Sequence, residues 1–126
     1  MANSYNDFYK KIRSMLLTVT EECYQDVNTS NNLIYPYIVY SIDTSYQSSN
    51  VDTLTLDINV FDRHPDKARV NAIQSDLRKL LHQETTMEHE FFMYTFIGGN
   101  QSVPKIDNEL KQQLISVQGS IEWRRQ

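Results

Sequence analysis

The stretch from Thr53 to Phe61, TLTLDINVF, alternates apolar and polar side chains. Successive side chains of an extended chain point to opposite faces, which divides this stretch into an apolar face and a polar face. The apolar face holds Leu54, Leu56, Ile58 and Val60, and the polar face holds Thr55, Asp57 and Asn59. The next segment, HPDKARVNAIQSDLRKLLHQ, has apolar residues at helical spacing. We therefore predict a strand whose apolar face is covered by a helix and whose other face is wet.

Two amphipathic helices are predicted, one near the start of the chain and one directly after this strand. Their apolar stripes are Phe8, Ile12, Met15, Leu16, Val19 and Cys23 in the first, and Val70, Ile73, Leu77, Leu80 and Leu81 in the second. Such stripes usually pack into a core. On this interpretation Cys23 is a small buried hydrophobe and not a nucleophile.

Three further strands are predicted from their aromatic and β-branched residues. They are Tyr37–Ile42, Phe91–Ile97 and Leu114–Trp123. The second, FFMYTFI, is apolar on both faces, as in a central strand or one buried against another subunit. The third segment also fits a helix through Leu110, Leu114, Val117 and Ile121, but Gly119 and the β-branched residues favour a strand.

Two polar segments are interpreted as long connections between strands. Asp43–Asp52 joins the first pair of strands and Gly98–Asn108 joins the last pair. Long polar connections are commonly mobile and carry binding residues. We expect both to project from the sheet.

The predicted fold is α+β, with a mostly antiparallel four-stranded sheet and two helices packed on one of its faces. The element order is α-β-β-α-β-β, and residues 1–126 form a single domain. We detect neither an internal repeat nor a second domain.

Charge and cysteine content restrict the possible partners. The net charge of −4 and the pI near 5.3 give no general attraction to phosphate backbones. Cys23 is the only cysteine, so an intrachain disulfide is impossible and a reducing compartment is expected. No signal peptide or membrane-spanning segment is expected, and the protein should remain in the cytoplasm where it is made.

Residues with catalytic or metal-binding potential form no motif. The densest set of possible metal ligands is His82, Glu84, Glu88, His89 and Glu90, whose spacing matches no ligand pattern. Gly98-Gly99 is typical of a turn and not of a phosphate-binding loop. We predict no catalytic, cofactor-binding or metal site, no cofactor and no enzymatic activity.

Five tyrosines cluster on or beside the predicted strands: Tyr35, Tyr37, Tyr40, Tyr46 and Tyr94. Tyrosine is enriched at protein interfaces. The equally weighted alternative is that these tyrosines pack at core edges with their hydroxyls in water. The candidate residues for an interface with another subunit or another protein are Tyr46, Asn50, Phe92, Tyr94, Phe96, Gly98 and Asn100.

Four features together resemble small virion proteins of long-tailed bacteriophages, the tail terminator or tail-completion group. They are the YPYIVY segment, the LTLDINVF strand, the long second helix and the final strand ending in SIEWRR. The resemblance covers most of the chain and is one of pattern, since it includes no catalytic signature.

The resemblance implies a structural virion protein at the tail–head junction. Copies of the chain would form a homo-oligomeric ring, a hexamer, that caps the tail tube and ends its polymerisation. The expected partners are the tail tube protein and the head connector or neck protein, with DNA passing through the ring without specific binding. Two alternatives remain: a head-closure or neck adaptor protein, and a small ligand-binding or enzymatic α+β domain.

Overall fold

The computed structural model describes residues 4–105, 107 and 109–124, with the backbone alone at Ser4. Within these ranges the chain forms two helices and six strands. They are α1 (Ser4–Leu17), β1 (Cys23–Gln25), β2 (Tyr37–Ser48), β3 (Val51–Arg63), α2 (Ala68–Leu81), β4 (Glu84–Met87), β5 (Phe91–Val103) and β6 (Leu110–Trp123).

The strands form one sheet in the order β1-β2-β3-β6-β5-β4. β1 pairs parallel with β2 and every other described pair is antiparallel, so the sheet is mixed. It is strongly curled, like half of a barrel. The prediction of four mostly antiparallel strands in the order α-β-β-α-β-β is therefore wrong. It missed the short edge strands β1 and β4, which at three and four residues are too short to show a two-residue repeat.

The first polar connection was also predicted wrongly. β2 continues to Ser48 and β3 begins at Val51, so Asp43–Asp52 is a hairpin closed by a tight turn at Ser49 and Asn50. A bulge lies between Tyr46 and Ser48. The polar side chains do not prevent a strand here, because the backbone N–H and C=O groups form hydrogen bonds with β3.

The second connection is shorter than predicted for the same reason. β5 extends through Val103 and pairs with β6 along Gln112–Ser116. A bulge between Ile97 and Gly99 shifts the register of this half of β5. Of the predicted segment Gly98–Asn108, Ile106 and Asn108 lie outside the described residues.

Both helices pack on one face of the sheet, which we call the covered face. The ring of Phe8 on α1 lies edge-on to Phe91 and Trp123, with centroid distances of 5.7 and 6.1 Å. The strand residues buried there include Ile38, Tyr40, Leu54, Leu56, Ile58, Val60, Met93, Ile115, Val117 and Ile121. As predicted, Leu56 and Ile58 are fully buried, whereas Asp57 and Asn59 lie partly exposed on the opposite face, the open face.

The helical stripes are confirmed over the helices themselves. Phe8, Ile12 and Leu16 are buried on α1, and Val70, Ile73, Leu77 and Leu81 are buried on α2. The first stripe was drawn too long, because α1 ends at Leu17 and Cys23 belongs to β1. Cys23 is nevertheless 1% exposed, which confirms its interpretation as a buried hydrophobe.

An ion pair between exposed Arg69 and buried Asp62 fixes the start of α2 against the sheet. Asp62 at the end of β3 is fully buried and accepts hydrogen bonds from the Arg69 guanidinium at 2.6 and 3.0 Å. The Asp62 carboxylate accepts a third hydrogen bond from the backbone N–H of Arg63 at 2.9 Å. These bonds compensate a carboxylate that would be costly to bury alone.

Replacing Leu56 by Ala is expected to lower the free energy of unfolding by about 2–5 kcal/mol, because it leaves a cavity in the core. Asp57→Ala should cost about 1 kcal/mol or less, since its one described side-chain bond, from Ser116 Oγ at 3.1 Å, lies partly exposed on the open face. Urea denaturation of both variants measures the difference. Equal losses would contradict the assignment of the two faces.

Candidate interaction surface

The open face carries an aromatic cluster at the end of the sheet where β2 begins. This Tyr37 cluster consists of Tyr35, Tyr37 and Phe61. Tyr37 stacks on Phe61 with a centroid distance of 5.0 Å, and Tyr35 lies 5.4 Å from Tyr37. The Arg63 guanidinium lies 5.9 Å from the Tyr35 centroid, and the Lys105 ammonium lies 5.9 Å from that of Phe61. The cluster is thus rimmed by cations.

A second apolar cluster lies at the opposite end of the open face, on β4 and β5. This Tyr94 cluster consists of Met87, Phe92, Tyr94 and Phe96. Tyr94 and Phe96 are 6.1 Å apart between centroids, and Met87 is paired with Phe92 across the two strands. Met87 is 63% exposed and Tyr94 37% exposed. Large apolar side chains gathered on an exposed sheet face are typical of an interaction surface.

The centre of the open face, between the clusters, is polar. Ser116 Oγ donates to Asp57, and Gln112 Nε2 donates to Asn59 Oδ1 at 2.9 Å. Thr53, Thr55 and Gln118 are exposed around these pairs. The two clusters are therefore separate patches with different chemistry at their rims.

The structure brings only three of the seven candidate interface residues together: Phe92, Tyr94 and Phe96. Tyr46 is 79% exposed and lies on β2, in the half of the sheet away from β4 and β5. Asn50 lies in the β2–β3 turn, where its carbonyl accepts the Trp123 N–H at 2.7 Å. Gly98 lies at the β5 bulge.

Asn100 faces α2 and not the open face. Its Nδ2 donates to Gln74 Oε1 at 2.8 Å, and its Oδ1 accepts a hydrogen bond from Gln113. The bulge places it there, because one extra residue moves every later side chain of β5 to the opposite face.

Two members of the clusters were missed from the sequence. Phe61 lies on the polar face of its strand, two residues after Asn59. An aromatic residue at that position breaks the alternation of apolar and polar residues, and this break could have indicated an apolar patch on the open face. Met87 gave none, because its place beside Phe92 depends on the short strand β4.

A buried carboxylate joins three elements at the end of the sheet near the β2–β3 turn. Asp52 is 5% exposed and accepts hydrogen bonds from the Tyr5 hydroxyl on α1 and from Trp123 Nε1 on β6, the latter at 3.0 Å. The bond to this carboxylate raises the pKa of Tyr5. The arrangement holds α1, β3 and β6 together at this end.

A cleft of about 400 Å³ lies between α2 and β5 and is lined in part by Gln74, Arg78, His82, Ile97 and Asn100. We call it the α2–β5 cleft. His82 Nδ1 accepts the backbone N–H of Ile97 at 3.0 Å, and Gln74 bonds to Asn100. These polar groups are engaged within the chain, so the cleft gives no support to an enzymatic interpretation.

Chemically reactive groups do not converge elsewhere in the described part of the chain. No group of three or more His, Cys, Asp or Glu side chains there could hold a metal ion. No described helix is both long and apolar enough to cross a membrane. Burial raises the pKa of the Cys23 thiol to about 11, and its Sγ donates to the Thr20 carbonyl at 3.3 Å.

The Cys23 thiol is therefore expected to resist alkylation in the folded protein. At pH 8 it is protonated and buried, and the thiolate is the reactive form. Mass spectrometry after iodoacetamide treatment should find little adduct in buffer and complete modification in denaturant. Equal rates of modification in both conditions would contradict the burial of β1 beneath α1.

Comparisons with known proteins were made by sequence and by structure. No protein-family model matches the sequence, and no curated protein matches it. Among solved structures, the chain is similar to a chain in the virion of a native gene transfer agent (GTA) particle. The TM-score is 0.65, the sequence identity is 10%, and the match covers 90% of each chain. This chain therefore shares its fold with a chain of that virion.

Proposed function

We propose that this chain is a structural subunit of a phage-type virion, a tail terminator located at the tail–head junction. Copies of it form a ring, a hexamer, that caps the tail tube, ends tube polymerisation and offers a surface to the head connector. The observation that carries the proposal is the fold shared with a chain of a GTA virion over 90% of both chains. The sequence resemblance to tail-completion proteins supports the same role.

The open face supplies surfaces that such a role requires. Besides the contacts between its own subunits, a ring that binds one partner above and another below needs a surface on each subunit for each partner. The Tyr37 and Tyr94 clusters are two separate apolar patches at opposite ends of one rigid sheet. Exposed aromatic residues of this kind commonly dominate binding at protein interfaces.

The segments first expected to act as flexible loops act differently in this proposal. Asp43–Asp52 and the first half of Gly98–Asn108 are ladder-paired strands, so they present fixed surfaces to a partner. Rigid surfaces bind with a smaller loss of conformational entropy than loops that order on contact. Capping of the tube would then depend on the shape of the ring and not on loop ordering.

Passage of DNA through the ring is compatible with the charge of the chain. The net charge is −4. The polar centre of the open face carries the carboxylate of Asp57 and neutral side chains. A surface of this kind has little attraction for phosphate groups.

The proposal is tested in the phage that encodes the chain. Disruption of its gene should give particles with overlong tails that lack heads, because nothing ends polymerisation or joins the head. Electron microscopy measures tail length and head attachment. Normal-length tails without heads would instead indicate the neck adaptor role, and normal infectious particles would overturn a structural role.

Complementation with variants tests the open face. Tyr94→Ser combined with Met87→Ser should fold but fail to restore attached tails of normal length. Val27→Ser is the matched control, since Val27 is 61% exposed in the connection between β1 and β2 and belongs to neither cluster. Full complementation by the double variant would exclude the Tyr94 cluster as a functional surface.

A further inference from the structure

At each lateral edge of the sheet, part of a strand has no neighbouring strand within the described residues. β1 pairs with only Ile38–Tyr40 of β2, so the outer edge of β2 is uncovered from Ser41 to Ser48. β4 pairs with only Phe92–Thr95 of β5, and His82 caps Ile97. The outer edge of β5 is thus uncovered from Gly98 to Val103. An exposed edge of this length is a template for pairing with another chain.

The hydrogen-bonding groups of the two edges can be assigned. The Ile38 N–H and the Tyr40 C=O bond towards β1, so Ile42 and Thr44 direct their N–H and C=O groups outward. On β5, the Ile97 N–H points outward. The bulge then shifts the pattern by one residue, so the outward groups beyond it belong to Asn100 and Ser102.

Of the two glycines on the β5 edge, Gly98 lies at the bulge, whereas Gly99 has no explanation within the chain. Neither has a positive φ, and a Cβ at Gly99 would make only an ordinary contact, 3.8 Å from Ser116 Cβ. A Cβ at Gly98 would meet the flexible end of Gln118 at 3.3 Å. Gly119 differs, because a Cβ there would lie 1.9 Å from the Tyr94 carbonyl oxygen. Glycine in an exposed strand commonly marks the close approach of another backbone.

Tyr46 is the most exposed large apolar side chain on the β2 edge. It shares its parity with Tyr40 and Ile42, so it projects from the same side of the sheet as the helices, beyond the area that they cover. The α2–β5 cleft opens on that same side, beside the other free edge, at Ile97 and Asn100. If a second copy lay edge to edge with the first, the aromatic ring of Tyr46 in one copy would lie beside the α2–β5 cleft of the other.

We propose that the ring is built by antiparallel pairing of β2 of one copy with β5 of the next. Thr44 lies opposite Asn100, which places Tyr46 opposite Gly98 and inserts its ring into the α2–β5 cleft of the neighbouring copy. The occupant of each edge is a second copy of this chain because Ser41–Tyr46 and Gly98–Val103 match in length, face and hydrogen-bond direction. The two edges differ, so the contact is head-to-tail and propagates around a ring. This inference rests on the ring of the proposed function and specifies how its subunits join.

A designed disulfide tests the pairing and its register. Asp43 and Gln101 are exposed on the open face and directly opposite each other in this register. Within one chain their strands are separated by β3 and β6, about 14 Å along the sheet, which is too far for a disulfide. Asp43→Cys with Gln101→Cys should therefore give a covalent ladder of multimers on oxidation. The buried Cys23 does not interfere.

The matched control moves one cysteine by two residues. Ser45→Cys with Gln101→Cys is displaced by about 7 Å along the strand and should cross-link poorly. Tyr46→Ser should weaken self-association, measured by analytical ultracentrifugation, about tenfold or more without changing the denaturation midpoint. Gly99→Val should have the same effect, whereas Val27→Ser should leave association unchanged.

The possible results separate this inference from the proposed function. If the wild-type chain assembles but the first cysteine pair cross-links no better than the control, the edge pairing is wrong and the ring still stands. If cross-linking stops at dimers, the head-to-tail contact is wrong. If the wild-type chain stays monomeric at high concentration and in phage particles, both the pairing and the ring are overturned.

Discussion

The antiparallel ladder between β3 and β6 is the contact on which the rest of the structure depends. The two strands pair from end to end, from Val51 opposite Glu122 to Arg63 opposite Leu110. Their alternation places Leu56 beside Val117 and Ile58 beside Ile115 on the covered face. A slip of one residue would bring all of these side chains to the open face and leave both helices without a core. The long ladder therefore fixes the position of α1, α2 and the outer strands at once.

β6 also packs tightly against β5 at Gly119, on the side opposite β3. Gly119 lies so close to Tyr94 that any side chain there would collide with the Tyr94 carbonyl oxygen. Tyr94 is held at this point with its ring on the open face, while Thr95 next to it is buried on the covered face. The position of the Tyr94 cluster is thus set by core geometry and not by contacts among its own side chains.

Sequence patterns predicted those parts of the fold in which one face is apolar. Leu54, Leu56 and Ile58 alternate with polar residues, and both the strand and its buried face were placed correctly. The far half of β2, Asp43–Ser48, is predicted as a loop because it extends where the helices do not cover it, so no apolar repeat is needed. What makes it a strand is the backbone ladder to β3, which side-chain composition does not reveal.

The candidate surface was predictable only in part for a related physical reason. Phe92, Tyr94 and Phe96 share a face because side chains two residues apart in a strand point the same way. This spacing can be read directly from the sequence. Asn100 was misplaced because the bulge at Gly98 reverses that parity. The two free edges depend on how short β1 and β4 are, and strands of that length leave almost no trace in a sequence.

The carboxylate of Asp52 has a mechanical consequence. Tyr5 near the start of α1 and Trp123 at the end of β6 both donate to it, so two segments far apart in the chain are tied to one hairpin next to its turn. A force applied to either segment is transmitted to the β2–β3 turn before it reaches the core. We therefore expect this end of the chain to respond to a mechanical load as a single rigid block.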